Sequence, residues 1–122
     1  MPDRRTPARH ELPEIDAAAF EAARALDRLL AEARRVGDAG PTADSRATAA
    51  DRWAGYFQRL PDQLRDDPVP QLKAAARRVR AAYGPRDSVR DTLAPSVTEP
   101  VLVSIDRLLK VIARREADRG GT

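Results

Sequence analysis

The stretch Leu12–Val36, LPEIDAAAFEAARALDRLLAEARRV, decides the fold. Two sets of apolar residues recur in it at every seventh position. They are Leu12, Ala19, Leu26 and Ala33, together with Ile15, Ala22, Leu29 and Val36. Both sets lie on one stripe of a helix with 3.6 residues per turn. Because Pro13 suits the first turn of a helix and Gly37 suits its end, we predict an amphipathic helix over residues 13–36. The alternative start has Asp16 as the N-cap and the helix from Ala17.

A linker rich in turn residues, GDAGPTADS at 37–45, leads to a second apolar stripe. This stripe holds the only Trp of the chain and consists of Ala50, Trp53, Phe57, Leu60 and Leu64. Pro61 lies within it and lacks the backbone N–H that a helix interior requires. We therefore predict a helix over residues 45–60 and a short helical turn near 61–65.

A third helix is predicted over residues 70–83, because Gly84-Pro85 follows it directly. Its apolar face comprises Val69, Leu72, Ala76, Val79 and Tyr83. After the Gly-Pro break, Val89 and Leu93 indicate one or two further helical turns near residues 86–93.

The last helix is predicted over residues 98–118. The run Ser96-Val97-Thr98-Glu99 matches the capping-box pattern S-x-x-E, in which each side chain bonds a free backbone N–H at the helix start. Thr98 as the cap, with Pro100 in the first turn, is the alternative start.

Together these patterns predict an all-α fold: a small antiparallel bundle of four principal helices with one or two short extra helical turns. We expect a flexible N-terminal arm over residues 1–11, one domain over 12–118 and a disordered tail over 119–122. The predicted core consists of Leu26, Leu29, Leu30, Trp53, Phe57, Val79, Ile105, Leu108 and Ile112.

The composition excludes most catalytic and metal chemistry. The 122 residues include no Cys and one His, so disulfide frameworks, thiolate zinc sites and Cys nucleophiles are absent. His10 lies in the polar arm, and no Gly-rich phosphate-binding motif occurs. The cluster Asp62, Asp66 and Asp67 suits helix caps and a solvated loop better than a metal site. We therefore expect a non-enzymatic protein with no cofactor, no metal and no small-molecule substrate.

The last helix carries apolar residues on more than one side. Val101, Ile105, Leu108 and Ile112 form its core stripe, and Leu102 and Leu109 widen it. Val103 and Val111 fall outside that arc. Such a helix is either central in the bundle or docked on another chain. The candidate partner interface comprises Leu102, Val103, Leu109 and Val111.

The third helix carries a basic flank of Lys73, Arg77 and Arg80, followed along the chain by Arg86 and Arg90. This flank has three interpretations. It binds the phosphates of a nucleic acid, pairs internally with the more acidic second helix, or meets an acidic partner protein.

The leading functional hypothesis is a self-associating protein–protein interaction module: an accessory, adaptor or regulatory subunit. Only 24 of the 122 residues are Leu, Ile, Val or Phe, so the core is thin and a partner helix would add apolar surface. The alternative is a nucleic-acid-associated regulator that uses the basic flank. No apolar run spans a bilayer, and the N-terminus lacks a secretory apolar region, so we expect a cytoplasmic protein. The 20 Arg against 2 Lys and the 23 Ala are typical of a GC-rich bacterium.

Overall fold

The computed structural model of the chain describes residues 8–38, 45–85 and 88–120. These residues form helices α1 (Pro13–Gly37), α2 (Ser45–Phe57), α3 (Leu60–Asp66), α4 (Val69–Ala81) and α5 (Pro95–Gly120). Two 3-10 turns, Arg9–Glu11 and Val89–Asp91, accompany them. No strand occurs in these ranges. The predicted all-α bundle of four long helices with short extra turns is confirmed.

The four long helices alternate in direction. Lys73 of α4 pairs with Glu116 of α5, and Arg80 pairs with Asp106, so the two helices are antiparallel. The start of α1 lies beside the end of α5, where both line one groove. Helices α2 and α3 run antiparallel to α1, because Asp51 of α2 lies against Gly37 and Arg65 of α3 pairs with Asp27. Helix α5 therefore lies between α1 and α4 in an up-down-up-down bundle.

The core is the one that the apolar periodicity predicts. All nine predicted core residues are buried, and Leu26, Leu29, Phe57, Val79, Ile105 and Leu108 are completely shielded from solvent. The Trp53 ring stacks on Phe57 with centroids 5.9 Å apart and meets the Tyr56 ring edge-on at 5.5 Å. The aromatic side chains of α2 thus supply bulk that the many Ala of α1 do not.

The break between α2 and α3 follows from Pro61. Helix α2 ends at Phe57, three residues before the predicted end, and Gln58 and Arg59 form the turn. Pro61 then occupies the first turn of α3, where its missing N–H has no intrahelical partner to lose. Because Phe57, Leu60 and Leu64 are all buried, the apolar stripe continues across the break.

The predicted start of the last helix is wrong by three residues. Helix α5 begins at Pro95, so neither Ser96 nor Thr98 caps it. The carbonyl oxygen of Ala94 accepts hydrogen bonds from the N–H groups of Val97 and Thr98, both at 3.1 Å, so the first turn has already formed there. Pro100 consequently lies inside the helix.

The predicted arm and tail are also too long. Residues 9–11 form a 3-10 turn, and the Arg9 guanidinium donates to the carbonyl oxygens of Leu64 at 2.9 Å and Asp67 at 2.7 Å. At the other end, α5 continues to Gly120. Residues 1–7 and 121–122 lie outside the described ranges.

Candidate interaction surface

The basic flank of α4 is paired within the fold. The Lys73 ammonium lies 2.8 Å from the Glu116 carboxylate, and the Arg80 guanidinium lies 3.0 Å from Asp106. Both acids belong to α5, so the flank does pair internally, but with α5 rather than with the second helix.

The remaining residues of the flank differ in their surroundings. Arg90 donates two hydrogen bonds of 2.8 Å to Glu99, and these bonds lower the pKa of that carboxyl below its ordinary value. Arg77 is exposed, with no ion pair to any residue that the structure describes. Arg86 lies outside the described residues. The structure thus leaves Arg77 as the unpaired cation among the described members of the flank.

The candidate interface on α5 separates into packed and exposed residues. Leu102, Leu109 and Val111 are half-buried and pack against the core. Val103 is 59% exposed. The first three therefore widen the contacts of α5 with its neighbours in the bundle, and Val103 alone of the four is mainly directed at solvent.

Sequence reasoning missed a second exposed apolar side chain. Phe20 of α1 is 42% exposed. Its position gives the signal, because it lies off the stripe marked by Ala19 and Ala22 when each residue advances about 100°. Within the described part of the chain, Phe20 and Val103 are the two large apolar side chains that are exposed.

These two side chains belong to neighbouring antiparallel helices but to different surfaces. An ion pair of 3.3 Å between Glu21 of α1 and Arg107 of α5 joins the two helices, and Val103 lies one turn before Arg107. Phe20 lies about 100° from Glu21 around α1 and about 20° from Asp27, whose carboxylate pairs with Arg65 of α3, so Phe20 is on the α3 side of α1. We name the surface around Val103 the α1–α5 face and define it by Arg24, Arg28, Val103, Lys110 and Arg114.

The α1–α5 face is basic. Lys110 and Arg114 follow Val103 on α5 at spacings of seven and eleven residues, and Arg24 and Arg28 lie one turn apart on α1. All four cationic side chains are exposed, and none forms an ion pair with another residue in the described ranges. Four free cations thus accompany the exposed Val103.

A groove of about 240 Å³ lies at one end of this face. It runs between residues 11–15 and the last turns of α5. Leu12 and Ile15 are buried in its floor and Val111 is half-buried. Its lining also contains Glu11, Glu14, Arg114, Arg115 and Asp118. Arg114 belongs both to the groove and to the α1–α5 face, so the two features are continuous.

The remaining candidate residues from the sequence are His10 and the cluster Asp62, Asp66 and Asp67. His10 is exposed in the first 3-10 turn. Asp62 lies 4.0 Å from Arg65, and the Asp67 carbonyl accepts from Arg9. Among the described residues, no three His or acidic side chains are arranged to hold a metal ion. In the same ranges, no helix combines the length and the apolar character needed to cross a bilayer.

No protein-family model, no curated protein and no solved structure matches this chain.

Proposed function

We propose that this chain is a non-enzymatic protein–protein interaction module whose α1–α5 face binds an acidic amphipathic helix of another protein. One observation carries the proposal: Val103, whose side chain is 59% exposed, shares the α1–α5 face with four cations that have no ion-pair partner among the described residues. An amphipathic helix would cover Val103 with its apolar face and meet the cations with carboxylates at its edges.

The charge of the face favours a different chain over a second copy. Two copies docked through this surface would bring Arg24, Arg28, Lys110 and Arg114 against the same four cations. Like charges facing each other across an interface cost several kcal/mol, on the order of what a modest interface gains. The self-association expected from the sequence is therefore less favourable here than binding to an acidic partner.

The pairing of α4 weakens the alternative of nucleic-acid binding through its basic flank. Phosphates would compete with Glu116 for Lys73 and with Asp106 for Arg80. Breaking those pairs would offset part of the gain from each phosphate contact. Of the described flank residues, Arg77 alone is available without such competition.

The proposal is tested with a fluorescently labelled peptide designed as an amphipathic helix, with Leu on one face and Glu on the flanks. We expect saturable binding by anisotropy that weakens as salt increases. Val103→Asp and the double reversal Arg24→Glu/Arg114→Glu should each weaken binding about tenfold or more, which is the loss of roughly 1.4 kcal/mol. Arg77→Glu is the matched control, because it reverses an exposed unpaired cation on a helix outside the face.

Two results would overturn the proposal. One is equal affinity of the wild type and both α1–α5 variants for the acidic peptide. The other is equal binding of a peptide in which Lys replaces every Glu. Size-exclusion chromatography with light scattering and absorbance at 260 and 280 nm distinguishes the other possible occupants of the face. A dimer abolished by Val103→Asp would indicate a second copy, and salt-sensitive absorbance at 260 nm would indicate nucleic acid.

A further inference from the structure

A second groove lies on another side of the bundle, between the α2–α3 junction and α4. Its volume is about 300 Å³. Two Arg, two Gln, a Tyr, a Leu and a Gly form its wall. They are Gly55, Tyr56, Gln58, Arg59, Leu60, Gln63 and Arg78.

The charges of this wall are of one sign. Arg59 and Arg78 are cationic, and the lining contains no carboxylate. Neither guanidinium forms an ion pair with a residue in the described ranges. The amides of Gln58 and Gln63 add further N–H donors. An Arg guanidinium presents its donors in a planar fork that matches the oxygens of a phosphate group.

The wall is also held in place before any ligand arrives. The Tyr56 hydroxyl donates a hydrogen bond of 2.5 Å to the carbonyl oxygen of Arg78, which fixes α2 against α4. The Arg78 guanidinium carbon lies 5.5 Å from the centre of the Tyr56 ring, within the range of a cation–π contact. A cation held in this way loses less conformational entropy on binding an anion.

Gly55 lines the groove without a side chain. A Cβ atom built on it would meet no other atom within 4 Å, so a larger side chain would extend into the open space at the groove wall. Gly within a helix is less stable than Ala. The position therefore carries a stability cost and leaves room at the wall.

We propose that this groove binds a small phosphate-bearing anion through Arg59 and Arg78, as a ligand rather than as a substrate. The class includes inorganic phosphate, pyrophosphate and small phosphomonoesters. The site is separate from the α1–α5 face and does not depend on the function proposed for that face.

The test is a titration of the ¹⁵N-labelled protein with inorganic phosphate and, separately, with pyrophosphate, against sodium chloride at equal ionic strength. We expect saturable amide shifts confined to residues 55–63 and to the surroundings of Arg78, and the two arms show which anion binds more tightly. Arg59→Gln and Arg78→Gln should each weaken binding about tenfold or more. Arg77→Gln is the matched control, since it removes a neighbouring cation of α4 that does not line the groove.

Gly55→Glu keeps the test decisive if an Arg variant folds poorly. Its carboxylate would enter the groove and neutralise the guanidinium groups without displacing packed atoms. We expect this variant to melt at or above the wild-type temperature and to bind neither anion. Absence of saturable shifts in the wild type, or unchanged binding by Gly55→Glu, would overturn the assignment.

Discussion

The phenolic oxygen of Tyr83 lies 2.5 Å from the carbonyl oxygen of Thr98, to which it donates a hydrogen bond. This bond ties the residues that follow α4 to the first turns of α5. The Arg90 guanidinium carbon lies 5.6 Å from the centre of the Tyr83 ring, and the same guanidinium also pairs with Glu99. The connection between the two helices is therefore fixed by side chains, although it contains a Gly-Pro break.

Replacing Tyr83 by Phe should destabilise the protein by about 1 kcal/mol at neutral pH, because one net hydrogen bond is lost. It should also change the response to alkali. Burial raises the pKa of Tyr83 well above its ordinary value. Above pH of about 10 the phenol ionises in the unfolded chain but not in the folded one, so wild-type stability falls by up to about 1.4 kcal/mol per pH unit.

Urea unfolding between pH 8 and pH 11 checks both effects of Tyr83→Phe. The variant should start lower and lose less stability as the pH rises. Parallel alkaline slopes for the two proteins would contradict the burial of an un-ionised phenol at this position.

Arg9 should stabilise the bundle although it lies in the segment expected to be a flexible arm. Its guanidinium donates to two backbone carbonyls near the end of α3 and lies 2.9 Å from Asp16 of α1. Arg9→Ala should cost about 1.5–3 kcal/mol, the usual range for hydrogen bonds of a charged group. Arg34→Ala, an exposed substitution on α1, should change stability by less than about 0.5 kcal/mol.

Chemical denaturation of the two variants measures this difference in stability. A midpoint for Arg9→Ala equal to that of Arg34→Ala would mean that the ordered turn at residues 9–11 contributes nothing to the fold.

On α5, the same substitution should have very different effects at two positions that lie two residues apart. Ile105 is fully buried, whereas Val103 is 59% exposed. Ile105→Asp places a carboxylate in the core without a partner and should prevent cooperative folding. Val103→Asp should leave the thermal midpoint nearly unchanged. Circular dichroism melts of both proteins check this, and a cooperative wild-type melt for Ile105→Asp would contradict the core described above.

Gly55→Ala should stabilise the protein by about 0.5–1 kcal/mol. The substitution favours the helical backbone and introduces a Cβ that meets no other atom. Chemical denaturation of this variant beside the wild type provides the measurement, and a loss of stability would show that α2 does not tolerate a side chain there.

The apolar periodicity was sufficient to predict the helices and the core. Leu26, Phe57 and Ile105 were placed correctly because helical spacing alone puts them on buried stripes. The start of α5 was not predictable in the same way. Helix α5 begins at Pro95, which suits a first helical position as Pro100 does, so the sequence offers two competing start signals and local pattern does not choose between them.

Only part of the interaction surface could be predicted from the sequence. Val103 was singled out because it departs from the stripe of its own helix. Its proximity to Arg24 and Arg28 depends on how α1 and α5 pack, which no single-helix pattern contains. The pairing of Lys73 with Glu116 is of the same kind, because the two residues lie 43 positions apart.

The most direct test of the account is the footprint of the acidic amphipathic peptide on the ¹⁵N-labelled protein. We predict saturable amide shifts in residues 24–28 of α1 and 103–115 of α5, lost in Arg24→Glu/Arg114→Glu and retained in Arg77→Glu. A footprint on α4 or on residues 55–63, or no saturable shift at all, would contradict the α1–α5 face as the docking surface.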